Sequence, residues 1–539
     1  MRSHISLSRE SELVEAEEKA AQPLQIHADR LIIATNRGPV EYYVNRNDSL
    51  KYRRGAGGVV TALIDAGNRM DVTWVAMAMT EGDRRALRES EQRNGLLQSP
   101  LRGQKMQLHY VTISKAAYRK HYERISNQVL WFLQHYLYDP TEDSSSVRRI
   151  QDAWTNGYVV ANQAIADAVS TEIGREDSSA VVMLHDYHLY LAPAMIRKEH
   201  PNVVIQQFIH IPWPDVRCWH FLPSNIAQAI FSGLIGNDII GFQTERDAHN
   251  FLEGARTLLE DVDVDFEDGT IWLHGRKILV RSYPISISVT GERRAVQSMA
   301  GRHAAEKIQA LIGNPDDPHR MKAIMRVDRI EPTKNIIRGY QAYALLLETH
   351  PELHGKVTFL SFLVPSRQAL LTYQRYKADV LKLIAEINLK YGSDKWTPIH
   401  VFCENDRTRA LAAMQLYDVL LVNPIIDGMN LVVKEGAVVN RTNGVLVLSR
   451  TVGAFQELGK YAVPTSPTNV EETAQALYTA LTMSEEERCI KSTFSRHVVE
   501  RNDLHKWLTL QIRDLNRLLD HPAPSFEEED TSSLVASMV

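Results

Sequence analysis

The sequence predicts an α/β protein of two doubly wound parallel-sheet lobes facing a central cleft. Three observations predict it. Short apolar runs recur along the 539 residues, each ending in a polar or glycine-bearing loop, and helical stretches separate successive runs. The series starts twice, near residue 30 and again after the charged, proline-bearing stretch Asn314 to His319. A chain of this length also exceeds one ordinary core.

Residues 1–28 are polar and acidic, and read as a loosely attached tail. The N-terminal lobe is assigned to 29–288. Its first strand is Leu31-Ile32-Ile33-Ala34, which ends in Thr35-Asn36-Arg37-Gly38. The run 181–184 leads into His185-Asp186-Tyr187-His188, and 203–209 leads into His210-Ile211-Pro212-Trp213-Pro214. A further strand at 239–242 precedes Thr244-Glu245, and 154–169 reads as a helix. The C-terminal lobe is assigned to 289–485. Its strands are expected at 322–327, 356–363, 399–402, 419–422 and 445–448, with helices near 336–349, 369–390, 408–416 and 471–482. A C-terminal helix over 486–520 is expected to cross back to the N-terminal lobe. Residues 521–539, with Glu527-Glu528-Glu529-Asp530, read as a disordered acidic tail.

Composition narrows the function. There are 61 basic and 66 acidic residues, a net charge of −5. Nothing draws the chain globally to nucleic acid or an anionic membrane, so an anionic ligand must be held by a local basic cluster. The cysteines Cys218, Cys403 and Cys489 are widely spaced and form no C-x-x-C pair, which suits a reducing compartment. No apolar signal region opens the sequence and no membrane-spanning apolar run occurs, so a cytoplasmic protein is expected.

The polar motifs lie just past strands, where open α/β sheets bind ligands. Asp427-Gly428-Met429-Asn430-Leu431 allows a tight turn into a helix whose free N–H groups suit phosphate or sugar hydroxyls, and Glu435 follows two turns in to meet ribose. An ordinary strand–turn–helix junction capped by Asp427 would read the same. Arg329 and Lys334 are spaced to clamp a diphosphate, the first as a planar fork and the second as a point charge. Alternatively, Asp328, Glu331 and these bases form a solvated ion-pair network. Arg367 and Arg37 offer a second anion site if the lobes come together. The histidines at 185, 188 and 210 lack zinc-ligand spacing, so Asp186 and His210 are read as binders of sugar hydroxyls or as packed strand-end residues. The run Gly55-Ala56-Gly57-Gly58 fits a loop over a ligand or a flexible hairpin end.

Taken in order, the segments Asn36-Arg37, G-G-x-x-T-A-L from Gly57, S-N-x-x-L-W ending at Trp131, H-D-Y-H-L from His185, H-I-P-x-P from His210, G-F-Q-T from Gly241, V-D-R-x-x-x-x-K ending at Lys334, Ser366-Arg367, D-G-M-N-L-V-x-K-E ending at Glu435 and V-L-S-R-x-x-G-A ending at Ala454 resemble the trehalose-6-phosphate synthase family of retaining glycosyltransferases. The resemblance covers about 30–515. It implies a GT-B fold with two Rossmann-like lobes, no catalytic metal and no cofactor. The implied reaction moves glucose from UDP-glucose or GDP-glucose to glucose 6-phosphate, giving α,α-trehalose 6-phosphate, and the implied assembly is a homo-oligomer. By position, Asp186, His210, Arg329 and Lys334 would be catalytic. Gly58, His210, Arg329, Lys334, Asp427, Met429, Asn430, Leu431 and Glu435 would hold the donor, and Arg37, Tyr122, Trp131, Asp186 and Arg367 the acceptor. Departures are Met77 and Met79 where W-x-G-W brings an aromatic toward the acceptor, Ile426 for arginine, and Glu331-Pro332-Thr333-Lys334-Asn335 for D-Y-S-K-G. Two further readings stand beside this one. One is a related transferase, or a pseudo-glycosyltransferase, using glycerol 3-phosphate or an aminocyclitol phosphate. The other is a catalytically silent sugar-phosphate sensor.

Overall fold

Strands that are apolar along their whole length need cover on both faces, which parallel sheets flanked by helices provide. The computed structural model describes residues 25–521, apart from 56–70, 92–94, 102–105, 140–145, 176–177, 315–316, 318 and 369. Gly58, most of the N-terminal tail and 522–539 therefore lie outside the described residues. The first series of strands is β1 (Arg30–Thr35), β2 (Val40–Val44), β3 (Leu50–Arg54), β4 (Asp71–Met77), β5 (Leu97–Gln98), β6 (Met106–Val111), β7 (Ala180–His185), β8 (Val204–Phe208), β9 (Ile239–Phe242), β10 (Val262–Asp265), β11 (Thr270–Leu273) and β12 (Arg276–Ser282). The second is β13 (Lys322–Arg329), β14 (Val357–Val364), β15 (Ile399–Phe402), β16 (Val419–Val422), β17 (Val445–Ser449) and β18 (Val463–Thr465).

One sheet has the order β10-β11-β12-β9-β8-β7-β1-β4-β6-β5, and the other β15-β14-β13-β16-β17-β18. The second sheet is parallel throughout. In the first, antiparallel pairing is confined to its two edges, β10-β11-β12 and β5-β6. Ile32 of β1 lies opposite Thr73 on one side and Val182 on the other, so β1 is central. This is the two-lobed GT-B architecture. Val40–Val44 and Leu50–Arg54 pair separately as a hairpin.

The core is continuous between lobes. Leu31, Met183 and Phe208 of the first sheet belong to the same apolar cluster as Ile285 and Ile287 of the connection and Met325 and Leu420 of the second sheet. Among the described residues, no helix is long and apolar enough to cross a membrane.

Two readings change. The helix expected from Trp154 begins as a π-helical segment, Trp154–Val159, and becomes α-helical only over Val160–Ile173. The single helix expected over 486–520 is two helices, Glu485–Arg501 and Leu504–Asp520. Asp503 caps the second by accepting the Lys506 N–H, so a new helix starts there. This second helix lies on the first sheet. Trp507 meets Phe208 edge to face at 5.4 Å, the Gln206 amide donates to Gln511 at 2.6 Å, and the Tyr283 hydroxyl donates to Asp514 at 2.8 Å.

Candidate active site

Chain order reverses between β1 and β7 in one sheet and between β13 and β16 in the other. The loops leaving such neighbours run in opposite directions, and a crevice opens between them. Two cavities occupy this region, of about 740 and about 710 Å³. Arg329 and Val364 line both.

The first cavity gathers Arg37, Tyr122, Trp131, Asp186 and His210 from the first lobe with Arg329, Arg367 and Asp427 from the second. Arg37 follows β1 and is exposed. Tyr122 lies on a π-helical segment, Arg119–Leu130, that runs into the α-helical turn Trp131–Gln134. The π-helical segments meet at Gly157, where a Cβ would stand 2.4 Å from Lys120 Cβ and 2.7 Å from the His121 nitrogen. Tyr122 stacks with Tyr118 at 5.5 Å and with His188 at 5.8 Å. Trp131 stacks with His135 at 4.1 Å, and the guanidinium carbons of Arg367 and Arg329 lie 4.1 and 5.5 Å from the Trp131 ring centre. The face of the Trp131 indole so placed attracts both guanidinium groups.

Asp186 sits in a left-handed conformation, φ +72°, rare for a non-glycine residue and typical of functional strain. Burial pushes its carboxyl up to about 7, against the backbone N–H groups of Tyr187 and His210 and the charges of Arg367 and Arg329. Near neutrality it is substantially protonated, and a neutral acid can donate to a sugar hydroxyl. His185 and His210 are 3.2 Å apart between ring nitrogens. Burial holds His185 down to about 3, and burial followed by the neighbouring His185 holds His210 well below its usual range. Both are neutral rings, one donating and one accepting. Among the described residues no group of three His, Cys, Asp or Glu side chains is placed to hold a metal ion.

The second cavity is lined by Arg329, Lys334, Asn430, Leu431 and Glu435, together with Glu292 and Arg407. Lys334 pairs with Asp427, which also accepts the Asn430 amide at 3.1 Å. Burial would raise Asp427, but Lys334 outweighs it and the carboxylate stays ionised. Asn335 adopts φ +54° where the related pattern has glycine, and its amide donates to the Asn423 and Pro467 carbonyls. At Gly428 a Cβ would stand 2.2 Å from the His210 carbonyl oxygen, so the backbones of the two lobes nearly touch there. Burial, then Glu292, raises Glu435 to about 7, opposed by Arg407 at 3.2 Å.

Several expectations are corrected. Asp427 caps no helix, since Asn430, at φ +67°, precedes a helix that starts at Leu431. Glu435 is therefore one turn in, not two. The Met429 side chain is buried and lines neither cavity. Asp328 and Glu331 belong to a buried network rather than a solvated one, with Asp328 against Arg326 at 3.1 Å and Glu331 against Arg329 at 2.9 Å. Met77 is buried and, like Met79, lines neither cavity. Trp74 on the same strand does line the first, its indole N–H donating to Thr35 at 2.7 Å. Sequence reasoning met Glu331 only as part of a solvated ion-pair network and Tyr187 only within the H-D-Y-H-L segment, and it passed over His135 and Arg407. Glu331 had a signal in its place inside the V-D-R-x-x-x-x-K segment and Tyr187 in H-D-Y-H-L, whereas His135 and Arg407 lie in none of the quoted segments.

The profile described as Glycosyltransferase family 20 matches residues 29–517. A bifunctional trehalose-6-phosphate synthase/phosphatase of Thermoproteus tenax is 30% identical over 89% of this chain, and this chain spans 62% of that relative's length. The protein named trehalose-6-phosphate from E. coli, solved with UDP-2-fluoro glucose bound, superposes with a TM-score of 0.76 at 27% identity, covering 90% of this chain and 99% of its own. An α,α-trehalose-phosphate synthase (UDP-forming) from Burkholderia xenovorans, in complex with glucose-6-phosphate, superposes with a TM-score of 0.73 at 25% identity, covering 90% and 100%.

Proposed function

This chain belongs to glycosyltransferase family 20, and from that premise we propose that it moves glucose from UDP-glucose to glucose 6-phosphate with retention, giving α,α-trehalose 6-phosphate. The observation that carries the reading is the pair of cation-bearing cavities that meet at Arg329, one able to take a nucleotide diphosphate and the other a sugar phosphate.

In this reading the donor lies in the second cavity, with Glu435 on the ribose and Arg329 and Lys334 on the diphosphate. The acceptor lies in the first, its phosphate toward Arg37 and Arg367 and its ring against Tyr122 and Trp131. The bond between the donor anomeric carbon and the diphosphate oxygen breaks, and its electron pair leaves with the diphosphate. The acceptor hydroxyl oxygen bonds to the same face of that carbon and passes its proton to the departing diphosphate. Negative charge grows on the diphosphate along this path, where Arg329 and Lys334 stabilise it without a metal ion. Asp186, which lines the first cavity, orients the acceptor hydroxyls, His210 meets the donor sugar, and the close approach at Gly428 keeps water from the reacting carbon.

The test is product analysis by mass spectrometry and NMR. Purified protein receives UDP-glucose or GDP-glucose with glucose 6-phosphate, with glycerol 3-phosphate, or with no acceptor. An α,α-1,1-linked disaccharide phosphate made from UDP-glucose is the expected result. Turnover only with glycerol 3-phosphate, or binding of glucose 6-phosphate without nucleotide release, would replace the reading with a different transferase or a sensor.

A further inference from the structure

Glu331 is fully buried between the two cavities and lines neither. Its Oε1 accepts the Ser366 hydroxyl at 2.7 Å and lies 2.9 Å from Arg329 and 3.5 Å from Arg367. Both guanidinium groups also lie over the ring of Trp131, which comes from the other lobe. Two arginines converging on one indole repel each other. A carboxylate placed between them lets both stay charged and close together. The other oxygen, Oε2, is buried without a hydrogen-bond partner among the described residues. It is a spare acceptor, so the carboxylate can follow either guanidinium while Ser366 holds Oε1.

We infer that Glu331 is a positioning residue that joins the donor diphosphate grip, through Arg329, to the acceptor phosphate grip, through Arg367. The inference rests on the functional reading above for the identity of the two anions. One shared carboxylate sets both the orientation and the effective charge of Arg329, which lines both cavities, and of Arg367, which lines the first. Removing the charge while keeping the shape therefore has two opposite effects. Each arginine exposes more positive potential, so anions bind more tightly. Each also loses the fixed aim that the transition state needs, so turnover slows. A merely structural carboxylate gives no gain in affinity.

The experiment compares wild type, Glu331→Gln and Glu331→Asp by calorimetric titration with UDP and, separately, glucose 6-phosphate at low ionic strength, and by steady-state turnover. Glu331→Gln is expected to bind both ligands at least about threefold more tightly and to turn over at least about tenfold more slowly. Glu331→Asp restores the charge and moves both values back toward wild type. Ser366→Ala leaves the charge but frees the carboxylate, and lowers turnover at unchanged affinities. Unchanged or weaker binding of both anions by Glu331→Gln overturns the inference, as does unchanged turnover in that variant. If Glu331→Gln does not fold, unchanged turnover in Ser366→Ala overturns it. If wild type forms no disaccharide phosphate, the functional reading fails, while the titrations still decide whether Glu331 governs both anion sites.

Discussion

Replacing Asp186 by asparagine keeps the shape of the side chain and removes its titration. Asp186 has a carboxyl pushed up to about 7 against an ordinary 3.8, so the folded state holds a proton that the unfolded state has lost. A folded pKa raised above the unfolded value means that stability is fully present below the unfolded pKa. That stability is lost as pH rises through the folded pKa. At 1.36 kcal/mol per pH unit, the difference of roughly three units corresponds to about 4 kcal/mol between acid and mildly alkaline conditions. This is an upper bound, because Asp186 opens onto the cavity and is partly screened. Urea unfolding of wild type and Asp186→Asn at about pH 4 and about pH 8 reads the effect directly. The two proteins should unfold at similar urea concentrations in acid. At the alkaline end the asparagine variant should be the more stable, with turnover reduced. A difference that stays constant across this range, or a variant less stable than wild type at the alkaline end, would refute the claim that this carboxyl is held neutral.

Lys334→Ala removes a charge that the proposed reading places on the diphosphate, and it leaves Asp427 without its cation. Turnover should fall roughly a hundred- to a thousandfold, and a steady-state rate within a factor of two or so of wild type would remove Lys334 from the site. In Gly428→Ala the new methyl group meets the His210 carbonyl at 2.2 Å, and backbone cannot yield as a flexible side chain does. The lobes should part, with a larger radius of gyration in small-angle scattering and a higher KM for donor. An unchanged radius and KM would contradict the described approach. Burial holds His135 down to about 4 and His185 to about 3, so both stabilise the fold above their unfolded pKa. That contribution disappears as pH falls from about 6.5 toward those values. His185→Gln should flatten the acid limb of the unfolding-midpoint profile, which an unaltered limb would disprove.

Much of this was legible in the sequence because strand ends and ligand contacts coincide in open α/β sheets. Arg37, Asp186, Arg329 and Asp427 each follow an apolar run, so locating the runs located the residues. The left-handed backbone at Asn335 was also visible in outline, since asparagine stands there for the glycine of the related pattern. The π-helical segments carrying Tyr122 and Trp154 were not visible, because a helix wound more widely than 3.6 residues per turn leaves an apolar pattern too short to separate from an α-helix. Whether Glu331 was solvated or buried could not be read from its neighbours in sequence. Its burial depends on Arg367 and Ser366, which arrive from the end of β14. Met77 looked like a change at the site, but its side chain is buried in the core and Trp74 is the residue of that strand that lines the first cavity.

The last described helix, Leu504–Asp520, covers the face of the first sheet around Phe208 and Gln206. Gln206 and Gln511 are 305 residues apart. At typical rates of protein synthesis, that separation takes roughly fifteen seconds to a minute to traverse. Throughout that interval the emerging sheet carries an uncovered apolar strip in a crowded cell. The first half to be synthesised is thus the last to be sealed, and a ribosome that stalls before Trp507 leaves behind a product suited to chaperone capture or aggregation.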